Sequence, residues 1–462
     1  MRKPNVVFML ADDMGYGDFG VFNDGLTQTP TLDRLVAEGV CLTQHYSASA
    51  VCAPARAGLM TGRYPHRTGA IDTLDARGLD RLALRETTVA NLFKNAGYAT
   101  GVIGKWHLGA ADPRYHPNAR GFDEFAGFRG GWWDYYDWTL DCNGSFKKAD
   151  GRYLTDVLSE HAVDFIRRHA KAPFFLHLTY NAPHFPFECP EEDVRPFAET
   201  GKFTKAVSLI YGMIRRMDAG IAMLLDELKR QGLGDDTIVV FTSDNGPQFG
   251  GSGEMCTTRF NCNYAGAKCF VYEGGIRVPA IARWPVGGLA GGRRFDQMMH
   301  FCDWLPTLCD AAGVAVPGSL KLDGWNVLPA LRGERGKVCE RRFWQWNRYT
   351  PVGECNAAMR DGAWKLVRPV INEAMHLPKE ECDRDVASKR NPETRTTICL
   401  DREPARRIPP APPVKLFNIE NDPHEKNDLA AAEPERAARM LRELETWFEA
   451  VEADRRSIDD KW

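Results

Sequence analysis

The 462-residue sequence lacks any long hydrophobic run, any strong charge imbalance and any regular cysteine framework. Its longest apolar stretches, such as Asn5–Leu10 and Thr237–Thr242, fall far short of the roughly 20 residues that cross a bilayer, so no membrane span is expected. A formal net charge of -3 offers no basic excess for nucleic acid or an anionic membrane surface, and any anion recognition must therefore be local. The 13 cysteines are odd in number and scattered, which fits a reducing compartment better than a disulfide scaffold. Arg2 and Lys3 precede an apolar run, but that run leads into Asp12-Asp13 and not into a small-residue cleavage site, so it reads as a strand. The expected location is the cytoplasm, or the periplasm or exterior if a leader has been removed. There is no internal repeat.

What is present is a chain long enough for two or three domains, 44% hydrophobic and 26% charged. Strand-like runs at Asn5–Leu10, Ala99–Gly104, Pro173–Tyr180 and Thr237–Ser243 alternate with helical patterns at Thr31–Gly39, Thr87–Gly97, Leu154–Ala170 and about 204–231. That order predicts an α/β fold with a mostly parallel central sheet flanked by helices. A catalytic domain is expected over 1–335. A smaller C-terminal α+β domain is expected over 336–462, with a small antiparallel sheet suggested by the Asp-Gly turn in Met359–Val367 and a helix from about Glu433 to Glu452. The polar, Pro-rich stretch from about Asn372 to Pro413 reads as a long loop.

In parallel sheets, ligands bind beyond the carboxyl ends of the strands. Asp12 and Asp13 follow the first strand, and Asp244 and Asn245 follow the strand Thr237–Ser243. If those strands are neighbours, four oxygen-bearing side chains converge, and a hard cation, Ca²⁺ or Mg²⁺, is the natural remedy for the crowded charge. Taken singly, either pair would be an ordinary turn former or helix cap. Lys105, His107, His184 and Lys268 gather after strand-like runs, and with Arg56 they suggest a site for a tetrahedral oxyanion. Cys52 is the candidate nucleophile. A soft thiolate is nevertheless an odd companion for a hard cation, so the thiol is either structural or converted into an oxygen species.

The residues Cys52–Arg56, CAPAR, match the C-x-P-x-R signature of the type I sulfatases, and the chain resembles that family of the alkaline phosphatase superfamily. The opening block at 5–20 and the blocks at 57–69, 104–109, 181–187, 242–246, 272–279 and 416–430 resemble family blocks in family order. The resemblance implies that Cys52 is oxidised to Cα-formylglycine by a formylglycine-generating or anaerobic sulfatase-maturating enzyme. It implies one Ca²⁺ held by Asp12, Asp13, Asp244, Asn245 and the modified residue 52. It further implies attack on sulfur by one hydroxyl of the hydrated aldehyde, with His184 or Lys268 assisting departure of the alcohol. His107 then takes a proton from the second hydroxyl as sulfate leaves, while Arg56 and Lys105 hold the diol and sulfate oxygens. The implied activity is hydrolysis of a sulfate ester, on a sulfated carbohydrate. The alternatives are phosphonate or phosphate ester hydrolysis, small aryl sulfates as substrates, and a silent binding protein on the same fold.

Cys256, Cys262 and Cys269 lie outside the family pattern. Their C-x5-C-x6-C spacing is a poor zinc site, also with Cys142 added, and buried or free thiols are expected. The aromatic run Phe128–Trp138 is read evenly as sugar-stacking surface or as loop packing.

Overall fold

The computed structural model describes residues 3–251, 254–256, 258–336, 338–390 and 397–460. Its main sheet contains ten strands: β1 Asn5–Ala11, β2 Val40–Tyr46, β3 Ala99–Lys105, β4 Glu124–Phe128, β5 Thr139–Cys142, β6 Ser145–Lys148, β7 Phe174–Thr179, β8 Thr237–Ser243, β9 Ala280–Arg283 and β10 Arg293–His300. Their spatial order is β10-β2-β9-β8-β1-β7-β3-β4-β5-β6. The core β8-β1-β7-β3-β4 is parallel, whereas β9 runs antiparallel to both its neighbours and β5 to β4 and β6.

The continuous apolar character of β1 follows from burial on both faces. Val6, Phe8 and Leu10 point into one hydrophobic layer, and Val7, Met9 and Ala11 into the other. The first layer is completed by α2 Cys52–Thr61, α3 Val89–Asn95 and α6 Trp304–Ala312; the second is completed by α1 Pro30–Glu38, α4 Leu154–His169 and α5 Lys205–Arg230. A mostly parallel sheet between helical layers is thus the observed architecture.

A second, antiparallel sheet takes β11 Arg341–Gln345, β12 Ala357–Asp361, β13 Trp364–Arg368 and β14 Lys415–Asn418 in that order. The Asp-Gly turn joins β12 to β13 as the sequence suggested. The terminal helix α8, Pro434–Arg456, packs Met440, Leu444 and Trp447 against this sheet. Trp344 of β11 donates through its indole N–H to the Ser47 carbonyl at 2.7 Å, tying this sheet to the segment that leads into α2.

The stretch read as a long loop contains an 11-residue helix, α7 Lys379–Lys389, preceded by the short turn Asn372–Met375. Pro378 at the helix entrance and Glu380 and Glu381 in the first turn are proper start signals. The polar composition masks them, because α7 rests on few apolar side chains and on ion pairs with a distant turn, described below.

Candidate active site

Ala11 lies opposite Ser243 in the β1–β8 register, so the two strands release Asp12-Asp13 and Asp244-Asn245 side by side at one sheet end. Asp13 takes a left-handed backbone (φ 64°), a conformation aspartate tolerates better than most residues, and its amide donates to Asp244 Oδ1 at 3.2 Å. Lys105 is the last residue of β3, two strands from β1. The chain there must pass close to β7. At Gly104 (φ +107°) a Cβ would come 1.9 Å from the Thr179 carbonyl oxygen.

Helix α2 explains the CAPAR spacing. Cys52 is its first residue, Pro54 occupies the first turn where a missing N–H costs nothing, and Arg56 stands four residues on, on the same helix face. The first turn also favours negative charge at residue 52 through the unpaired helix N–H groups.

All ten predicted residues converge, in two tiers. Arg56 and Lys105 lie beneath the cleft floor. Arg56 donates from Nε and Nη2 to Asp244 Oδ2 at 3.0 and 2.8 Å and from Nη1 to the Lys105 carbonyl at 3.0 Å; Lys105 Nζ pairs with Asp12 Oδ2 at 2.5 Å. Above them, a cleft of about 470 Å³ is lined by Cys52, His107, His184 and Lys268. Lys268 Nζ donates to Asp13 Oδ2 at 2.7 Å, Asn245 Nδ2 donates to Asp13 Oδ1 at 2.7 Å, and His184 Nε2 stands 3.7 Å from Asp13 Oδ2.

These contacts set the electrostatics. Burial, then the Asp244 charge, pushes Asp12 well above the usual carboxylate range, whereas the charge and hydrogen bond of Lys268 outweigh burial at Asp13 and hold it below that range. Burial would raise the Cys52 thiol, but Lys105, His107 and Lys268 together bring it down to about 6. His107 moves the other way: burial would lower it, yet Cys52 and Asp75 raise it to about 9. Burial, with Lys268 nearby, depresses His184 and keeps it neutral. The neighbouring Asp13 outweighs burial at Lys268 and keeps its ammonium charged.

The acidic set also fits a cation. Asp12, Asp13 and His184 each offer a ligand atom within 4.8 Å of the others, and Asp12 Oδ1 and Asn245 Oδ1 are buried without a hydrogen-bond partner in the protein. Buried acceptors without donors are costly unless something positive meets them, and a mainly carboxylate and amide oxygen set suits a hard divalent ion.

Other cleft residues are invisible to motif reading. Asp75 pairs with His107 across 2.9 Å, and α7 brings Asp385 and Lys389 to the wall. Arg348, held by Asp72 Oδ1 at 2.9 Å and Thr73 Oγ1 at 2.8 Å, closes another side. None stands in a recognisable motif, and each pairing spans at least 32 residues or comes from the misread loop. The aromatic run divides: Trp133, Tyr135 and Trp138 are core residues, whereas Trp132 is half-buried on the cleft wall. All 13 cysteines are free; Cys256 is buried with its thiol donating to the Gln248 carbonyl at 3.1 Å, and Cys142, Cys262 and Cys269 are half-buried.

The chain matches a known family over most of its length. The family model for sulfatases matches residues 4–314, and one described as the C-terminal part of N-sulphoglucosamine sulphohydrolase matches residues 266–377. The chain belongs to the sulfatase family and is a sulfuric ester hydrolase. It is 35% identical over 375 residues to N-acetylgalactosamine-6-sulfatase of Canis lupus familiaris, covering 74% of this chain and 68% of that protein. It is 29% identical over 550 aligned positions to steryl-sulfatase of Mus musculus, covering 100% of this chain and 84% of the relative. The solved structure of Ps i-CgsB superposes with a TM-score of 0.80 at 31% identity, covering 96% of this chain and 93% of that one; a second structure of Ps i-CgsB contains k-i-k-neocarrahexaose. Among the described residues no helix is long and apolar enough to cross a membrane.

Proposed function

We propose that the protein hydrolyses a sulfate ester on a carbohydrate, using formylglycine made from Cys52 by a maturating enzyme and one Ca²⁺ held by Asp12, Asp13, Asp244, Asn245 and residue 52. The observation that carries this reading is the position of Cys52: first residue of α2, facing the cleft, with His107 in contact and the acidic set beside it. When present, the hydrated aldehyde supplies an oxygen nucleophile in place of a soft thiol, and the cation neutralises the charge that gathers around it.

The chain's own residues supply the rest. Arg56 and Lys105 fix and neutralise Asp244 and Asp12 from below, so the ligand set stays assembled. Lys268, charged and held by Asp13, faces the cleft where a leaving oxygen gathers charge. His184 stands beside it, neutral, and orients the leaving group by hydrogen bonding. Conversion of Cys52 removes the thiolate that does most to raise His107, and Nδ1 is then the nitrogen placed to take a proton, because Nε2 faces Asp75 and the Thr73 carbonyl. Trp132 lines the wall, with Phe185 beside its ring and the Arg390 guanidinium over it, and adds aromatic surface for a sugar.

Support for a carbohydrate comes from the amino-sugar sulfatase and carrageenan-oligosaccharide complex among the relatives. A second reading, small aryl sulfates, is favoured by the apolar part of the wall: Val51, Leu74, Phe249, Phe270, Leu377 and Val386. Two measurements test the proposal. Mass spectrometry of the Cys52 peptide, after co-expression with a maturating enzyme, should show loss of sulfur and gain of an aldehyde oxygen. Turnover by that material should favour sulfated mono- and oligosaccharides over 4-methylumbelliferyl sulfate; a preference for the aryl ester moves the assignment to the second reading. Hydrolysis of phosphate or phosphonate analogues but not sulfate esters overturns the proposed reaction.

A further inference from the structure

His107 is fixed by its backbone and by two neighbours, Gly131 and Asp75. Its backbone is left-handed (φ 56°), and its ring lies against the backbone of Gly131, where a Cβ would come 2.8 Å from Cε1. Asp75 grips the ring from the side away from the cleft: Oδ1 stands 2.9 Å from Nε2, while Oδ2 accepts the Gly131 amide at 3.0 Å. Both side chains are fully buried.

Asp75 is in turn held by the helix that composition concealed. Lys389 Nζ, at the end of α7, lies 3.9 Å from Asp75 Oδ2 and 2.5 Å from Asp385 Oδ2, and Asp385 Oδ1 accepts the Ala76 amide at 2.9 Å. Arg77, two residues after Asp75, makes a two-pronged ion pair with Glu381 of α7. The turn that presents Asp75 is therefore fastened to α7 at three successive residues, 75, 76 and 77.

We infer that Asp75 is a positioning residue for His107, and that α7, through Lys389, Asp385 and Glu381, keeps it in place. The inference rests on the proposed role of His107 as proton acceptor. Its chemical content is a choice between two ring nitrogens. With the proton on Nε2, which faces Asp75 Oδ1 at 2.9 Å and the Thr73 carbonyl at 3.4 Å, the lone pair is left on Nδ1, which is buried and has no hydrogen-bond partner in the protein. Once Nδ1 is protonated, Asp75 is also the counter-charge for the imidazolium, the part a buried aspartate plays behind histidine in hydrolytic triads. Helix α7 also supplies Cys382, Asp385, Val386 and Lys389 to the cleft wall, so the helix that lines the cleft is the one that holds Asp75.

The test uses two readouts on the full chain. The first is proton and nitrogen NMR of histidine-labelled protein in its unmodified Cys52 form, with His107→Gln for assignment. A ring N–H resonance of His107 Nε2, protected and shifted downfield by the carboxylate, is expected in the wild type and absent in Asp75→Asn. The second is steady-state kinetics of matured protein on the sulfate ester that the wild type turns over best, with formylglycine content measured in each variant. Asp75→Asn should lower kcat by about 10²-fold or more, with KM within about threefold, since orientation and not binding is lost. Asp75→Glu should recover part of that loss, and Lys389→Met should lower kcat less than Asp75→Asn. If Asp75→Asn does not fold, Lys389→Met carries both readouts. The inference is overturned if the Nε2 resonance is missing from the wild type, if it persists unchanged in Asp75→Asn, or if kcat falls less than about threefold. The NMR readout needs no substrate, so it stands or falls separately from the proposed reaction.

Discussion

Arg56 places two donors on one oxygen of Asp244, Nε at 3.0 Å and Nη2 at 2.8 Å, across 188 residues of sequence. The pair joins the signature helix to the end of β8, both side chains are fully buried, and Asp12 Oδ2 stands 3.9 Å from the same guanidinium. Removing one member of such a pair strands the other charge in the interior. Arg56→Ala, expressed without a maturating enzyme and in metal-free buffer, should therefore cost about 3–5 kcal/mol in urea unfolding. Arg56→Lys should recover only part of this, because an ammonium cannot reproduce the forked geometry.

The unpartnered oxygens of Asp12 and Asn245 lead to a metal prediction. Elemental analysis of purified protein should find about one Ca²⁺ per chain. After chelation, readdition of the ion at about 100 times its dissociation constant should stabilise the fold by about 2.7 kcal/mol, measured as a shift of the thermal transition. Asp12→Asn and Asn245→Ala should both weaken that response, and turnover should fall with the metal content.

Gly104 is set between two strands with no room for a side chain. A Cβ there would meet the Thr179 carbonyl at 1.9 Å, and the backbone is left-handed. Gly104→Ala should destabilise the protein by about 2 kcal/mol or more by urea unfolding. It should also disturb Lys105, and with it Asp12, so residual folded protein is expected to bind Ca²⁺ more weakly.

A pH effect is expected outside the cleft lining. Lys365 sits between Glu273 and Glu425, 2.9 Å from each. Burial raises Glu425 to about 7 against the pull of Lys365, and the Glu273 charge adds to the rise. Between about pH 4.5 and 7 the native state thus keeps a proton that the unfolded chain has released, so this residue's contribution to stability is present at the acid end and lost as pH rises. Glu425→Gln cannot titrate. Its melting temperature should decline less than that of the wild type between those pH values, and equal slopes would remove Glu425 from the account.

The sheet and most of the site were legible because each rests on local sequence. Strands such as β1 carry near-continuous apolar runs, and the site side chains sit at fixed offsets from strand ends, so Asp12, Asp13, Asp244 and Asn245 announce themselves once β1 and β8 are paired. Cys52 and Arg56 are legible for a different reason, being one helical turn apart. Asp75 was not legible. It lies 32 residues from His107 in a stretch without periodicity, and only the folded turn shows the two as partners. Nor was α7, whose polar residues look like solvent-facing loop until Glu381, Asp385 and Lys389 are seen to be satisfied by Arg77, Ala76 and Asp75.

Helix α2 also bears on when the protein must be made ready. Cys52 is only 3% exposed, and Cys52, Pro54 and Arg56 are all locked in helical backbone. The finished fold leaves this strip buried and helical, with only the edge of Cys52 at the cleft, whereas an enzyme that reads the three residues would need access to all of them. On the proposed chemistry, oxidation of Cys52 has to come before α2 closes into place. On that proposal folding acts as a deadline: a chain that reaches its native state with the thiol intact is expected to stay unmodified.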